Sequence, residues 1–165
     1  MTDNELLDRI SRGDVEALGE LYGRYSGLVY QYAVALVRNR DAAEDVLQES
    51  FLGLLKSRSH LASVRNIRSY LLRVVRNEVS HRRRRHEADA SVLELVEAPR
   101  GLPAKEVLEL NEALARLPEE QLTVVVLKVW RRMTFAEVGE ALDIPAKTAA
   151  SRYRYAMEKL RKWLK

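Results

Sequence analysis

A chain of 165 residues with 47% apolar and 32% charged side chains has the composition of a folded globular protein, long enough for one domain or two small ones. The lack of cysteine excludes disulfides, thiolate nucleophiles and thiol-based zinc sites, and no apolar run reaches the length of a bilayer span. The net charge of +4 conceals alternating blocks, −4 over 1–57, +8 over 58–86, −6 over 87–120 and +6 over 121–165, a pattern that suits two nucleic-acid contacts separated by a segment that avoids DNA.

The N-terminus, MTDNELLDRI, is acidic and amphipathic rather than a secretory leader, so a cytoplasmic protein without membrane insertion is expected. Asp3 is read as the cap of a short helix through Ile10, Gly13 as its close, and Asp14 as the start of a longer helix. In that helix Leu18, Leu21, Tyr22, Tyr25, Leu28, Val29, Tyr32, Ala33, Leu36 and Val37 keep helical spacing for more than five turns, which predicts a core element whose tyrosines pack with a wet hydroxyl end. Asn39 and Arg40 break the pattern. Asp41 restarts it, with Glu44 at capping-box distance. Along DAAEDVLQESFLGLLK, Val46, Leu47, Phe51, Leu54 and Leu55 form the apolar side, and Glu44, Asp45, Gln48 and Glu49 form an acidic side that reads by pattern alone as solvated surface.

Residues 57–65, SRSHLASVR, read as a loop feeding the helix NIRSYLLRVVRNEVSHRRRR at 66–85. There Ile67, Leu71, Val74 and Val75 fall on one side, and Ser69, Arg73, Arg76, Asn77, Ser80 and Arg84 on another. Residues 58–86 hold nine arginines against one carboxylate, Glu78. Arginines at that density repel one another along a helix, so the face is suited to a polyanion rather than to stability. After His86 the sequence loses its period, turns acidic and ends in Pro99, Gly101 and Pro103, which predicts an interdomain linker over 87–104.

Val107, Leu110, Leu114 and Leu117 define the next amphipathic helix, and Pro118 opens a further one, PEEQLTVVVLKVW, with two glutamates at its positive end. Thr134 with Glu137 forms a capping box for a helix along which Phe135, Val138, Ala141 or Leu142, and then Ile144 can be buried together, Asp143 sits at a reversal, and Pro145 opens the last helix. Ala149, Tyr153, Ala156, Met157, Leu160 and Trp163 or Leu164 face inward there. Two short helices joined by so tight a turn form a helix-turn-helix, with Lys147, Thr148, Ser151, Arg152, Arg154 and Tyr155 outward as chemistry for phosphates and base edges.

Laid end to end, the motifs resemble a bacterial alternative sigma factor of the small extracytoplasmic-function (group IV) type within the sigma-70 family. DAAEDVLQESFLGLL at 41–55 is similar to region 2.2, RSYLLRVVRNEVSHRRRR at 68–85 to regions 2.3 and 2.4, and LPEEQLTVVVLKVWRRMTFAEVGEALDIPAKTAASRYRYAMEKLR at 117–161 to region 4.2. The resemblance implies an all-α fold: a region 2 helical bundle over 1–86, a flexible linker over 87–104 and a region 4 helix-turn-helix over 105–165. It turns the acidic side of the 41–55 helix from bland surface into a docking face, with Glu44, Asp45, Gln48 and Glu49 on the clamp of the largest RNA polymerase subunit. The flap of the second subunit is implied as a further contact. For the minus-ten element it implies Ser63, Asn66, Arg68, Arg73, Arg76, Asn77, Arg83 and Arg84, around a loop that captures an extruded base. Unstacking a base costs a few kcal/mol, which a fitted pocket offsets, so melting would come from binding energy. For the minus-thirty-five element it implies Lys147, Thr148, Ser151, Arg152 and Arg154, and it implies an anti-sigma partner.

The chain departs from the family pattern in three places. It has Tyr70-Leu71 in place of Trp-Leu, Asp143 in place of the turn glycine, and Lys147-Thr148-Ala149-Ala150 in place of Gly-Thr-Val-Lys. An alternative reading, a free-standing helix-turn-helix regulator, leaves the first basic block without a purpose. An enzyme is not expected: there is no glycine-rich phosphate loop or zinc spacing, His60, His81 and His86 have no identifiable carboxylate partners, and no cofactor or metal is called for.

Overall fold

The computed structural model describes residues 1–85 and 101–165. Among these residues there are α-helices, one 3₁₀ turn and one π-helical segment, and no strand, in agreement with the all-α expectation. Helix α1 spans Asp3–Ser11, α2 Val15–Val37, α3 Arg40–Lys56 and α4 Ile67–Arg85. In the C-terminal half, α5 spans Ala104–Arg116, α6 Glu119–Val125, α7 Phe135–Leu142 and α8 Ala146–Trp163. The linker expected over 87–104 lies outside the described residues except for its last four.

The helix starts follow capping chemistry, with two corrections to the sequence reading. Thr2, not Asp3, caps α1, in a capping box with Glu5. Asn39, not Asp41, caps α3, its side chain accepting from the Ala42 N–H at 2.9 Å. Asp14 caps α2 and Thr134 with Glu137 caps α7 as expected. The 57–65 stretch is more regular than a loop: Arg58–Ser63 forms a 3₁₀ turn that drives Leu61 fully into the core beside α1. Pro145 stands at the N-cap of α8 rather than inside it.

The long helix α2 is the spine. Leu21, Leu28, Val29, Tyr32 and Ala33 are buried between α1, α3 and α4, each large side chain contributing about 1.5–3 kcal/mol. The same core continues into the C-terminal half through Val124, Leu127, Met133, Val138, Ala141, Leu142 and Ala149. On its far side Ala35 joins a smaller cluster with Leu114, Leu117, Leu122, Val125, Ala156 and Leu160. The two halves are therefore packed face to face, with α7 against α4 and α6 against α2.

Candidate nucleic-acid interface

Helix α4 buries Ile67, Leu71, Leu72, Val75 and Val79. Val74, read from sequence as apolar face, is only half-buried, whereas Leu72 and Val79 complete the seam. The Asn66 side chain starts the helix by accepting from the Ser69 N–H at 2.9 Å, which makes this residue a structural cap as well as a candidate contact. Ser63 is exposed at the end of the 3₁₀ turn, its hydroxyl donating to the His60 carbonyl at 2.7 Å.

The polar residues of α4 fall into two stripes. Arg73, Asn77 and Arg84 are exposed on one and have no hydrogen bond or ion pair among the described residues. Arg68, Arg76 and Arg83 lie on the neighbouring stripe, beside the C-terminal half. Both Arg83 guanidinium ends reach Glu119 Oε2 at 3.0 Å, and Nη2 also donates to the Leu36 carbonyl at 3.0 Å. Arg68 Nη1 stands 3.9 Å from Glu137 Oε1. Arg76 lines a cleft of about 350 Å³ between the halves, together with Tyr32, Glu119, Glu120, Asp143 and Arg152. Burial pushes the Tyr32 hydroxyl well above the usual tyrosine range, against the opposing pull of the Arg76 charge.

The helix-turn-helix forms as expected. Asp143 takes the left-handed conformation at φ 56°, ψ 47° that ends α7, and the Ile144 N–H bonds back to the Gly139 carbonyl at 2.9 Å. A residue the sequence reading passed over sets the closeness of the two helices. A Cβ on Gly139 would lie 2.6 Å from the Ile144 carbonyl oxygen and 3.0 Å from the Ala146 nitrogen. A glycine inside an otherwise good helix pattern was the available signal.

On α8, Lys147 and Arg154 are exposed and Ser151 is half-buried on the same side, its hydroxyl donating to the Lys147 carbonyl at 3.0 Å. Arg154 rests over the Tyr155 ring, 5.0 Å from its centroid. Arg152 lines the cleft, and Thr148 is half-buried one turn before it. Arg152 Nη2 is 3.5 Å from Glu120 Oε2 and its side chain is 28% exposed, so the five expected contacts do not form one open face.

On α3, Glu44, Asp45, Gln48 and Glu49 are all exposed opposite the buried Val46, Leu47 and Phe51. Among the described residues Asp45 alone of the four has an ion-pair partner, Arg82 at 3.5 Å across to α4. Tyr70 is half-buried, its hydroxyl 3.5 Å from that of Ser57. Among the described residues no group of acidic or histidine side chains is arranged to hold a metal ion, and no helix is long and apolar enough to cross a membrane.

A helical bundle with an exposed arginine stripe, followed by a helix-turn-helix with a basic face, defines a DNA-binding protein of two helical regions. Residues 21–88 match the family Sigma-70 region 2, and residues 113–162 match Sigma-70, region 4. The chain belongs to the sigma-70 family, as a sigma factor of the extracytoplasmic-function type that directs transcription initiation. Among its relatives is the ECF RNA polymerase sigma factor SigW of Bacillus subtilis, 26% identical over 96% of this chain and 95% of that protein. The ECF RNA polymerase sigma factor SigM of Mycobacterium tuberculosis is 28% identical over 99% of this chain and 85% of its own length. BldN of Streptomyces coelicolor, also an ECF sigma factor, is 30% identical over 84% of this chain, which spans 56% of it. In fold the chain is similar to CnrH, solved in complex with the cytosolic domain of CnrY, at TM-score 0.72 and 22% identity over 98% of this chain and 96% of that one. It is also similar to RpoE of Bartonella quintana, solved with the anti-sigma factor NepR, at TM-score 0.68 and 16% identity over 88% of this chain and 95% of that one.

Proposed function

We propose that this chain is a group IV factor that works in the cytoplasm, docks on the clamp of core RNA polymerase through Glu44, Asp45, Gln48 and Glu49, and carries region 4 onto the flap of the second subunit. Arg73, Asn77 and Arg84, with Ser63, Asn66, Arg68, Arg76 and Arg83, hold the non-template strand and duplex phosphates of the minus-ten element. Lys147, Thr148, Ser151, Arg152 and Arg154 read the minus-thirty-five element in the major groove. Strand opening draws on binding energy alone: a base captured outside the stack repays its unstacking cost, and the subunit catalyses no reaction. The observation that carries this reading is the exposed stripe of Arg73, Asn77 and Arg84, whose side chains have no partner among the described residues, inside the region 2 match. A buried or internally paired stripe would have served stability; a free one serves an outside anion. The fold likeness to two factors solved with CnrY and with NepR supports an anti-sigma partner for this chain as well.

The test is transcription by purified core RNA polymerase on promoter DNA from the chain's own genome, with wild type and with a variant carrying alanine at 44, 45, 48 and 49. Promoter-specific initiation by wild type, lost in the variant while its helical content and melting stay unchanged, is the expected outcome. Duplex binding without polymerase, and no initiation on any template, would favour the free-standing regulator instead.

A further inference from the structure

The cleft bounded by α2, α4, α6 and the turn between α7 and α8 is lined by polar groups that the protein does not use on itself. Its volume of about 350 Å³ lies at the lower end of the range for small-molecule sites, roughly 300–1,000 Å³. Tyr32, 1% exposed, and Thr123, 4% exposed, both line it, and neither hydroxyl has a hydrogen-bond partner among the described residues. The Tyr32 hydroxyl feels the charges of Arg76 and Glu119, both cleft residues, so the polar end of the ring faces the opening. Burial keeps that hydroxyl protonated and able to donate. Buried hydroxyls are costly to leave unpaired, so this pair suits a partner from outside the chain. Five charged side chains line the same cleft. Three are engaged internally, Glu119 with Arg83 at 3.0 Å and Glu120 with Arg152 at 3.5 Å. Arg76 and Asp143, one cation and one anion, have no ion pair among the described residues. Asp143 holds its carboxylate there at a left-handed backbone position, φ 56°, where a glycine would fit most easily. Leu142 and Ile144 supply the apolar wall.

We propose that this cleft binds a small zwitterion, an α-amino acid with an apolar side chain. Its carboxylate lies on Arg76 and the hydroxyls of Tyr32 and Thr123, its ammonium on Asp143, and its side chain against Leu142 and Ile144. A guanidinium fork matches a carboxylate in shape and charge, and two neutral donors complete the set without adding a second cation. A polyanion such as a nucleotide phosphate would meet Glu119, Glu120 and Asp143, and a polycation would meet Arg76 and Arg152, so each suffers like-charge repulsion. A ligand with one charge of each sign avoids both. Arg76 and Asp143 are exposed, so the charged ends of the ligand stay partly in water and the affinity is weak. That suits a ligand abundant in its surroundings rather than a tightly held cofactor. The site does not rest on the DNA contact proposed for Arg76; where both hold, a bound amino acid takes that guanidinium from DNA.

The test titrates the full chain with L-leucine and reads magnetisation transferred from protein to the methyl signals of the probe. Isocaproate, which lacks the amine, and isopentylamine, which lacks the carboxylate, carry the same methyl groups and serve as matched probes at one ionic strength. L-Leucine is expected to saturate with a midpoint of about 1 mM, and each singly charged probe to bind about tenfold more weakly. Asp143→Asn, which keeps a residue that tolerates the left-handed turn, should weaken L-leucine and leave isocaproate unchanged. Arg76→Gln should weaken L-leucine and leave isopentylamine unchanged. Tyr32→Phe should also weaken L-leucine while melting no lower than wild type, because it removes a hydroxyl with no partner in the protein; a hydroxyl that only supports the fold would lower the melting temperature instead. Absence of saturable transfer to L-leucine up to about 50 mM overturns the proposal. So does equal binding of L-leucine and isocaproate, which would mark a site for anions alone, and so does L-leucine binding that neither Asp143→Asn nor Arg76→Gln alters.

Discussion

Replacing Gly139 by alanine tests whether the approach of α7 to α8 is set by a missing side chain. The new methyl carbon would stand 2.6 Å from the Ile144 carbonyl oxygen, 3.0 Å from the Ala146 nitrogen and 3.2 Å from the Ala146 Cα. All three are backbone atoms of the turn, so no side chain can swing aside, and the turn must open by several tenths of an ångström. Helix propensity works the other way, alanine being about 1 kcal/mol better than glycine inside a helix. Overpacking against a tight core costs about 1–3 kcal/mol, and backbone neighbours place this site toward the upper end. The expected net loss is about 1–2 kcal/mol, read as a lower urea midpoint at unchanged slope. Because the strain displaces the start of α8, where Lys147 and Ser151 sit, promoters that depend on the minus-thirty-five element should lose more activity than those driven by the minus-ten element. A Gly139→Ala protein with a raised urea midpoint would show that propensity governs the site, and would refute the close-approach argument.

Tyr25 donates a hydrogen bond to Asp3, and burial first, then that bond, pushes its hydroxyl up to about 12. A group whose folded pKa is raised contributes stability while protonated, here at every pH below the unfolded value near 10, and loses it as pH rises toward 12. Thermal melts of wild type should hold level to about pH 10 and fall above it, while Tyr25→Phe starts lower and falls less steeply; parallel curves would contradict the linkage. On α4, Arg84→Ala should weaken oligonucleotide binding and reduce the salt slope by about one unit without changing the melting temperature. Arg83→Ala, which also loses the bonds to Glu119 and to the Leu36 carbonyl, should lower the melting temperature as well; equal melting of the two variants would remove the distinction between the unpaired and the internally paired arginine.

Much of the fold was legible because it rests on local rules. The spacing of Leu21, Leu28, Val29 and Tyr32 gives α2, and the Thr134 and Glu137 pair gives the start of α7, each within a few turns of chain. Local rules also produced the errors. Asp3 and Asp41 are plausible caps by type, but Thr2 and Asn39 lie one and two residues upstream and their side chains reach the N–H groups first. Leu61 looked like part of a polar loop because a single apolar residue has no period, and only the 3₁₀ turn shows that it is driven into the core. The acidic side of α3 carries no physical signal that separates a docking face from solvated surface: exposure is the same for both, and the role proposed for it rests on resemblance alone.

What sequence spacing could not reveal is the pairing of charges far apart in the chain. Glu119 and Glu120 read naturally as acids favoured at a helix start, and the arginines of α4 as a face free for DNA. Both readings are locally sound. Yet Glu119 meets Arg83 across 36 residues, and the alternation of charge blocks that suggested two separate DNA contacts equally supplies each with an internal counter-charge. Block alternation therefore fixes which surfaces attract one another but not whether the attraction is spent on DNA or on the opposite half. The packing of Val124 and Leu127 beside α2, and of Val138 and Leu142 beside α4, brings the acids within reach, so it is hydrophobic contact that makes the internal pairing possible.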